Sequence, residues 1–233
     1  MPRRVNAMSK VVDQITARAL GPGGTGFPTL IFDFDGTIAD TLSAIIKLVN
    51  SHADEFHIRP LEDEDVEALR GMTNREIIKK YNIPLVKIPR LILRSQKELH
   101  EHIDGVPVFP GIRELIVDLK RHGFRLGILT TNATKNVKTF LLAHDLDVFD
   151  FIHTETNIFG KSRALLHLFK KHHLESNTVV YVGDEIRDIE ACLKVGVAII
   201  AVSWGFHRRK LLLDHQPTYL VDSPGEIKRI VMN

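Results

Sequence analysis

The sequence has a single cysteine, Cys192, so no disulfide can close within its 233 residues, and a reducing compartment suits it. It lacks a long apolar run. The most apolar stretch, around Val195–Val202, falls far short of the roughly 20 residues that span a bilayer. The N-terminal residues lack the apolar core of a secretory signal. An excess of one charge is missing too. Thirty-one basic residues against 29 acidic ones leave a formal charge of +2, too weak a field to hold nucleic acid or an anionic membrane. Internal repeats are absent. These absences favour a cytoplasmic protein with no membrane or nucleic-acid partner. What is present is ordinary for a folded chain: 44% hydrophobic and 26% charged residues, enough for one or two domains.

Residues 1–28 stand apart from the rest. Arg3, Arg4, Lys10 and Arg18 face one acid, Asp13, and Val5, Met8, Val12, Ile15 and Ala19 recur at helical spacing. Gly21 to Pro28 then packs four glycines and two prolines into eight residues, the composition of a flexible linker. Gly21, Gly23 and Gly26 match a dinucleotide fingerprint, but that motif must follow a strand, and here it precedes one. The segment reads as a loose arm, and a homodimer contact through it is left open.

Beyond the linker, short β-rich runs alternate with helical stretches. Thr29–Phe34, Arg125–Thr130, Phe149–His153, Thr178–Val182 and Val197–Ser203 read as strands, apolar almost throughout, as in a parallel sheet covered on both faces. Gly111–Gly123, Thr134–His144, Ser162–His173 and Ile186–Val195 carry helical periodicity. The alternation predicts an α/β fold with a Rossmann-like open parallel sheet. It breaks between Thr41 and Pro107, where only helical segments are legible: Leu42–Phe56, Leu61–Leu69, Asn74–Tyr81 and Pro84–Ile103. The expected division is an arm and linker at 1–28, a core at 29–42 plus 106–233, and a small inserted helical domain at 43–105.

Ligands of such sheets bind at the carboxyl ends of strands. The first strand ends in Asp33-Phe34-Asp35-Gly36-Thr37, with two acids spaced so that an extended backbone turns both to one side. Their repulsion separates their pKa values, leaving one to act as an ionised nucleophile and the other as a proton donor. The second strand ends in Thr130-Thr131-Asn132, a hydroxyl and an amide able to donate to phosphate oxygens. Gly160-Lys161-Ser162 opens a helix, where a lysine opposes the macrodipole unless an anion sits there. Glu155 occupies the place of the first glycine of a nucleotide-binding P-loop, which excludes that motif. The fourth strand ends in Gly183-Asp184-Glu185-Ile186-Arg187-Asp188. Asp184 would join Asp33 around a hard cation such as Mg²⁺, with Asp188 one helical turn further on behind the same site.

Four such segments in this order resemble the haloacid dehalogenase superfamily of phosphohydrolases: Asp33-x-Asp35-x-Thr37, Thr131, Lys161, then Gly183-Asp184 with Asp188. The likeness covers about residues 29–223 and includes the place of the helical insert. Val182-Gly183-Asp184-Glu185 and Ala201-Val202-Ser203-Trp204-Gly205 are similar to the phosphoglycolate phosphatase-like subgroup. The resemblance implies a phosphatase of a small phosphorylated metabolite. Asp33 would form an aspartyl-phosphate, and Asp35 would protonate the leaving oxygen. Mg²⁺ would lie between Asp33, Asp184 and the backbone carbonyl of Asp35. Thr131, Asn132 and Lys161 would hold the phosphoryl group. The acid at Asp35 separates phosphate-ester chemistry from that of the dehalogenases and phosphonatases. The insert resembles a helical cap, with Leu69-Arg70-Gly71-Met72-Thr73 as its substrate-facing loop. Arg70 or Arg75 would meet a substrate carboxylate. Alternatives on the same core are a phosphosugar mutase and a catalytically silent phosphoacceptor or interaction protein.

Other features read as surface. The histidines lack zinc-like spacing. His207-Arg208-Arg209-Lys210 is the one basic cluster and reads as a solvated face.

Overall fold

The computed structural model describes residues 28–56, 59–155 and 160–232. The arm and linker expected at 1–28 therefore lie outside the described residues, Pro28 apart. Six strands form one sheet: β1 (Thr29–Phe32), β2 (Arg125–Thr130), β3 (Phe151–Thr154), β4 (Val179–Gly183), β5 (Ala198–Val202) and β6 (Tyr219–Val221). Their order is β3-β2-β1-β4-β5-β6, and every pairing is parallel. β1, β4 and β5 are buried along their whole length, which is why their sequences run apolar without alternation.

Helices cover both faces. On one side, Leu30, Phe32, Ile128, Val182 and Ile200 pack under α6 (Ile112–Arg121), α7 (Thr134–Ala143) and α11 (Pro224–Met232). On the other, Ile31, Leu129, Tyr181 and Ile199 pack under α8 (Lys161–His172), α9 (Ile186–Val195) and α10 (Arg209–Asp214). Neighbouring residues of β1 thus serve opposite cores, as the two-residue period of a strand requires. This is the Rossmann-like open sheet that the alternation predicts.

Between β1 and α6 the chain is helical: α1 (Leu42–Ser51), α2 (Ala53–Phe56), α3 (Asp63–Leu69), α4 (Asn74–Lys80) and α5 (Ile88–Leu99). α1 packs on α5, and Ala53, Leu69 and Leu99 are buried. The stretch expected as one helix over Leu42–Phe56 breaks at His52, whose ring bonds Glu98 of α5 at 2.7 Å. The stretch expected over Pro84–Ile103 keeps its helix only from Ile88. Pro89 lies in the first turn, where a missing N–H and a fixed φ are tolerated, and single 3-10 turns flank the helix.

The sheet order reverses between β1 and β4. Strands later in sequence than β1 run outward to either side, leaving a crevice at their carboxyl ends. Asp33 follows β1 there and Asp184 follows β4. The register aligns Phe32 with both Ile128 and Val182, so β1 ends beside the closing residues of β2 and β4.

Candidate active site

The site begins with a turn. After Phe32 the ladder runs one step further, Asp33 N–H donating to Val182 O at 2.8 Å. The backbone then folds on itself: Ile38 and Ala39 N–H both bond Phe34 O, at 2.9 and 3.0 Å. Gly36 makes this possible with φ of 76°, and a Cβ there would stand 2.2 Å from Asp184 Oδ2. The turn thus brings the β1 end directly against the β4 end.

Asp33 is buried. Its Oδ1 accepts from Phe34 N–H at 2.8 Å, and its Oδ2 pairs with Lys161 Nζ at 2.7 Å. Lys161 enters from the first turn of α8, also pairs with Asp188, and lies 5.1 Å over the Tyr181 ring. Burial pushes the Asp33 carboxyl up, and the Lys161 charge opposes that push without cancelling it. Burial alone would lower Lys161, but Asp188 and Asp33 outweigh it and keep the ammonium charged.

Asp35 is half-buried. Its pKa is pushed up to about 6, first by burial and then by the charge of Asp33. Asn132 donates its amide to both carboxylate oxygens, at 3.0 and 3.3 Å. Asn132 Oδ1 accepts from Ala133 N–H at 2.8 Å and from Asn136 Nδ2 at 2.9 Å, which turns the NH₂ end toward Asp35. Asn136 in turn donates to Gln96 O of α5 at 2.7 Å, and Gln96 donates to Thr131 O. A chain of polar contacts therefore runs from the insert to Asp35.

Asp184 is buried, and both its oxygens are held by neutral donors: Thr37 Oγ at 2.7 Å on Oδ1 and Phe206 N–H at 2.7 Å on Oδ2. Burial raises its pKa well above the usual carboxylate range, and Glu185, Asp33 and Asp188 add to the rise. Asp33, Asp184 and Asp188 each offer an oxygen within 4.8 Å of the others. Five acids (Asp33, Asp35, Asp184, Glu185 and Asp188) face two cations, Lys161 and Arg187. The cluster is short of positive charge in a place where uncompensated charge is costly. Hard oxygen donors in this arrangement fit a divalent cation.

Among the described residues, three cavities border the residues of this site. One of about 200 Å³ lies beside Asp35, Thr131 and Asn132, under Ile45, Val49, Leu91 and Ile92 of the insert. One of about 430 Å³ runs from Asp35 past Thr41, Asn74 and Glu185 to Trp204. The third, about 450 Å³, lies at Lys161 and Arg187, with Arg75 and Lys194 on its walls.

A family model of haloacid dehalogenase-like hydrolases matches residues 30–202. The chain belongs to the haloacid dehalogenase-like hydrolases. A phosphoglycolate phosphatase of Synechococcus elongatus is 34% identical over 203 residues, which is 87% of this chain and 96% of that protein. The pyrophosphatase PpaX of Bacillus mycoides is 27% identical, over 87% of this chain and 96% of its own. Among solved structures, a predicted phosphatase from Clostridium acetobutylicum superposes with a TM-score of 0.76 at 24% identity, covering 89% of this chain and 99% of that one. CbbY from Rhodobacter sphaeroides, solved with phosphate, gives 0.66 at 19% identity, covering 86% and 96%.

The haloacid dehalogenase-like fold brings Asp33, Asp35, Asn132, Lys161, Asp184 and Asp188 into one crevice. Thr131 lies half-buried on the cavity beside Asp35. Asn132 spends its amide on Asp35. Gly71 is exposed in the turn after α3. Arg70 lines the cavity that runs from Asp35 to Trp204, and its guanidinium is hydrogen-bonded there: Nε donates to Phe206 O at 3.1 Å, Nη2 to Gly205 O at 3.0 Å, and Nη1 to Glu67 at 3.1 Å. Arg75 is exposed, and no bonded partner is found for it among the described residues. His207, read from sequence as part of a solvated cluster, is instead buried. Its Nδ1 accepts from Ile186 N–H at 3.2 Å, and Nε2 donates to Met72 O at 3.0 Å. Sequence reasoning missed Gln96, Asn136, Arg187 and the Gly205–Phe206 backbone. The only local signal was Trp204-Gly205 just beyond a predicted strand.

Proposed function

We propose that the chain is a Mg²⁺-dependent phosphomonoester hydrolase that works through an aspartyl-phosphate on Asp33, with a small organic phosphate as substrate. The observation that carries the reading is the meeting of Asp33, Asp35 and Lys161 with the Asp184–Asp188 acids at the β1/β4 crevice. Asp33, Asp184 and the backbone carbonyl of Asp35 would hold the cation, with Asp188 behind them. When bound, the cation would draw negative charge off the phosphoryl oxygens.

The protein's own groups supply the rest. An Asp33 oxygen attacks phosphorus, and the bond to the leaving oxygen breaks. Asp35, raised to about 6 and therefore partly protonated near neutral pH, gives its proton to that oxygen. Water then attacks the phosphorus, losing a proton to Asp35, and inorganic phosphate leaves Asp33. Lys161 and the Thr131 hydroxyl orient the phosphoryl oxygens. Asn132, whose amide is turned to Asp35, serves chiefly by aiming that carboxyl. Residues 43–105 act as a cap over a core of 29–42 plus 106–233, excluding water from the site.

The kinship with a phosphoglycolate phosphatase makes 2-phosphoglycolate the first substrate to try. Arg75, exposed on the cavity at Lys161, is the arginine put forward to meet a substrate carboxylate. Acid quenching during turnover tests the mechanism. The expected result is a base-labile phosphoryl group on the peptide carrying Asp33. Turnover with phosphate on another residue, or with none on the chain, contradicts it.

A further inference from the structure

We propose that Arg70 is a positioning residue for Asp184, so that seating the helical insert on the core is a condition of metal binding. The proposal rests on the cation site put forward above. Its basis is a single peptide group. The Gly205 carbonyl and the Phe206 N–H lie in one planar unit. Arg70 Nη2 donates to that carbonyl at 3.0 Å, and the N–H on its far side donates to Asp184 Oδ2 at 2.7 Å. One peptide plane therefore separates a side chain of the insert from a buried carboxylate of the core. Arg70 Nε meanwhile holds Phe206 O at 3.1 Å, so the guanidinium clamps both carbonyls that flank Phe206. Only arginine offers donors in that fixed fork. A carbonyl that accepts from a cation also polarises its own N–H, strengthening the bond to Asp184.

The segment has no slack. A Cβ on Gly205 would stand 2.3 Å from both Asp184 Cβ and Gly36 O, so backbone at 205 fills the space between the two strand ends. The other Asp184 oxygen is fixed by Thr37 within the core. A shift of the 205–206 peptide would thus rotate or release one side of Asp184 while the other stayed held. The same joint is closed by Arg208 N–H on Arg70 O at 2.9 Å and by His207 Nε2 on Met72 O at 3.0 Å. Glu67 balances both Arg70 and Arg208. The clamp takes one N–H from each of Arg70's three nitrogens.

The test measures Mg²⁺ binding to the full chain by titration calorimetry with no substrate present, in the unaltered chain, Arg70→Ala, Arg70→Lys and Asp184→Asn. Ester kinetics at saturating Mg²⁺ follow. Loss of a group that orients a metal ligand costs about 10- to 100-fold in affinity, and that is the weakening expected of Arg70→Ala. KM for the ester should stay within about threefold, because uniform substrate binding is not what Arg70 supplies. Arg70→Lys keeps the charge without the fork and should fall between, and it carries the decision if the alanine variant fails to fold. Unchanged Mg²⁺ affinity in the Arg70 variants overturns the proposal, and a raised KM beside it would make Arg70 a substrate ligand. Binding by the unaltered chain that disappears in Asp184→Asn upholds the cation site independently. No binding by the unaltered chain overturns that site, and the Arg70 proposal with it.

Discussion

Asp35 owes its character to what surrounds it. Burial and the neighbouring Asp33 raise it to about 6, and the Asn132 amide holds its two oxygens. Positioned proton transfer contributes typically 10²- to 10⁴-fold, so Asp35→Asn should lower kcat by about that factor. Mg²⁺ affinity should change little, because the cation would use the backbone carbonyl there. A kcat within tenfold of the unaltered chain would remove Asp35 from proton transfer. His207 gives the pH prediction. Burial lowers its pKa below the usual 6.5, against the smaller upward pull of Glu185. The folded state therefore prefers the neutral ring, whose Nδ1 accepts from Ile186 N–H. Its contribution to stability is complete above pH 6.5 and is lost as pH falls through the lowered folded value. The stability gap between the unaltered chain and His207→Gln should accordingly shrink between pH 7.5 and pH 5, as read by urea melts. A gap that widens would contradict a neutral buried ring. The sequence shows Asp33 with Asp35 and Asp184 with Asp188 because each pair is local. Gln96 and Asn136, or Arg70 and Phe206, are joined only by the fold, 40 and 136 residues apart. No local pattern marks them.

The strands were legible because burial on both faces makes them continuously apolar. Arg125–Thr130 has the expected bounds, and Val197–Ser203 shortens by one residue at each end to β5. Thr29–Phe34 contracts to β1 because Phe34 O is taken by the turn that follows. β6 escaped notice: three residues at the sheet edge, two of them half-buried and one buried, carry no period. α10 and α11 escaped similarly, α10 being only six residues long. The helices of the insert were legible as helices, but their breaks were set by tertiary partners such as the His52–Glu98 pair. At this scale, β1 is the element on which the site depends. Leu30 is fully buried in the sheet's central strand, and Leu30→Ala should cost about 2–5 kcal/mol by chemical denaturation. A cost below 1 kcal/mol would mean that the core under α6 and α7 packs differently. Thr73 caps α4, its hydroxyl accepting from Glu76 N–H while Glu76 reaches back to Thr73 N–H at 2.7 Å. Thr73→Ala should loosen that helix by about 1 kcal/mol. Hydrogen exchange in Asn74–Lys80 would show it, and unchanged protection would contradict the cap.

For the molecule as a whole, the crevice is a place where fold stability and chemistry meet. Five acids crowd against two cations, and a bound divalent ion would relieve the repulsion. A ligand held only by the folded state at 100 times its dissociation constant adds about 2.7 kcal/mol. In a chain of this size that corresponds to a melting temperature higher by roughly 5–10 °C, by the usual few degrees per kcal/mol. A chelator should reverse the gain, and Asp184→Asn should abolish it. Among the described residues no helix is long and apolar enough to cross a membrane. The insert meets the core through Arg70, His207 and Gln96, all of which touch backbone near the acids. The most direct test of the central claim is inorganic phosphate release from a panel of small phosphomonoesters, 2-phosphoglycolate included, with Mg²⁺ or with chelator, by the unaltered chain and by Asp33→Asn. Turnover that requires Mg²⁺ and disappears in Asp33→Asn is the predicted result. Phosphate release that survives Asp33→Asn, or that proceeds equally well under chelator, would contradict it.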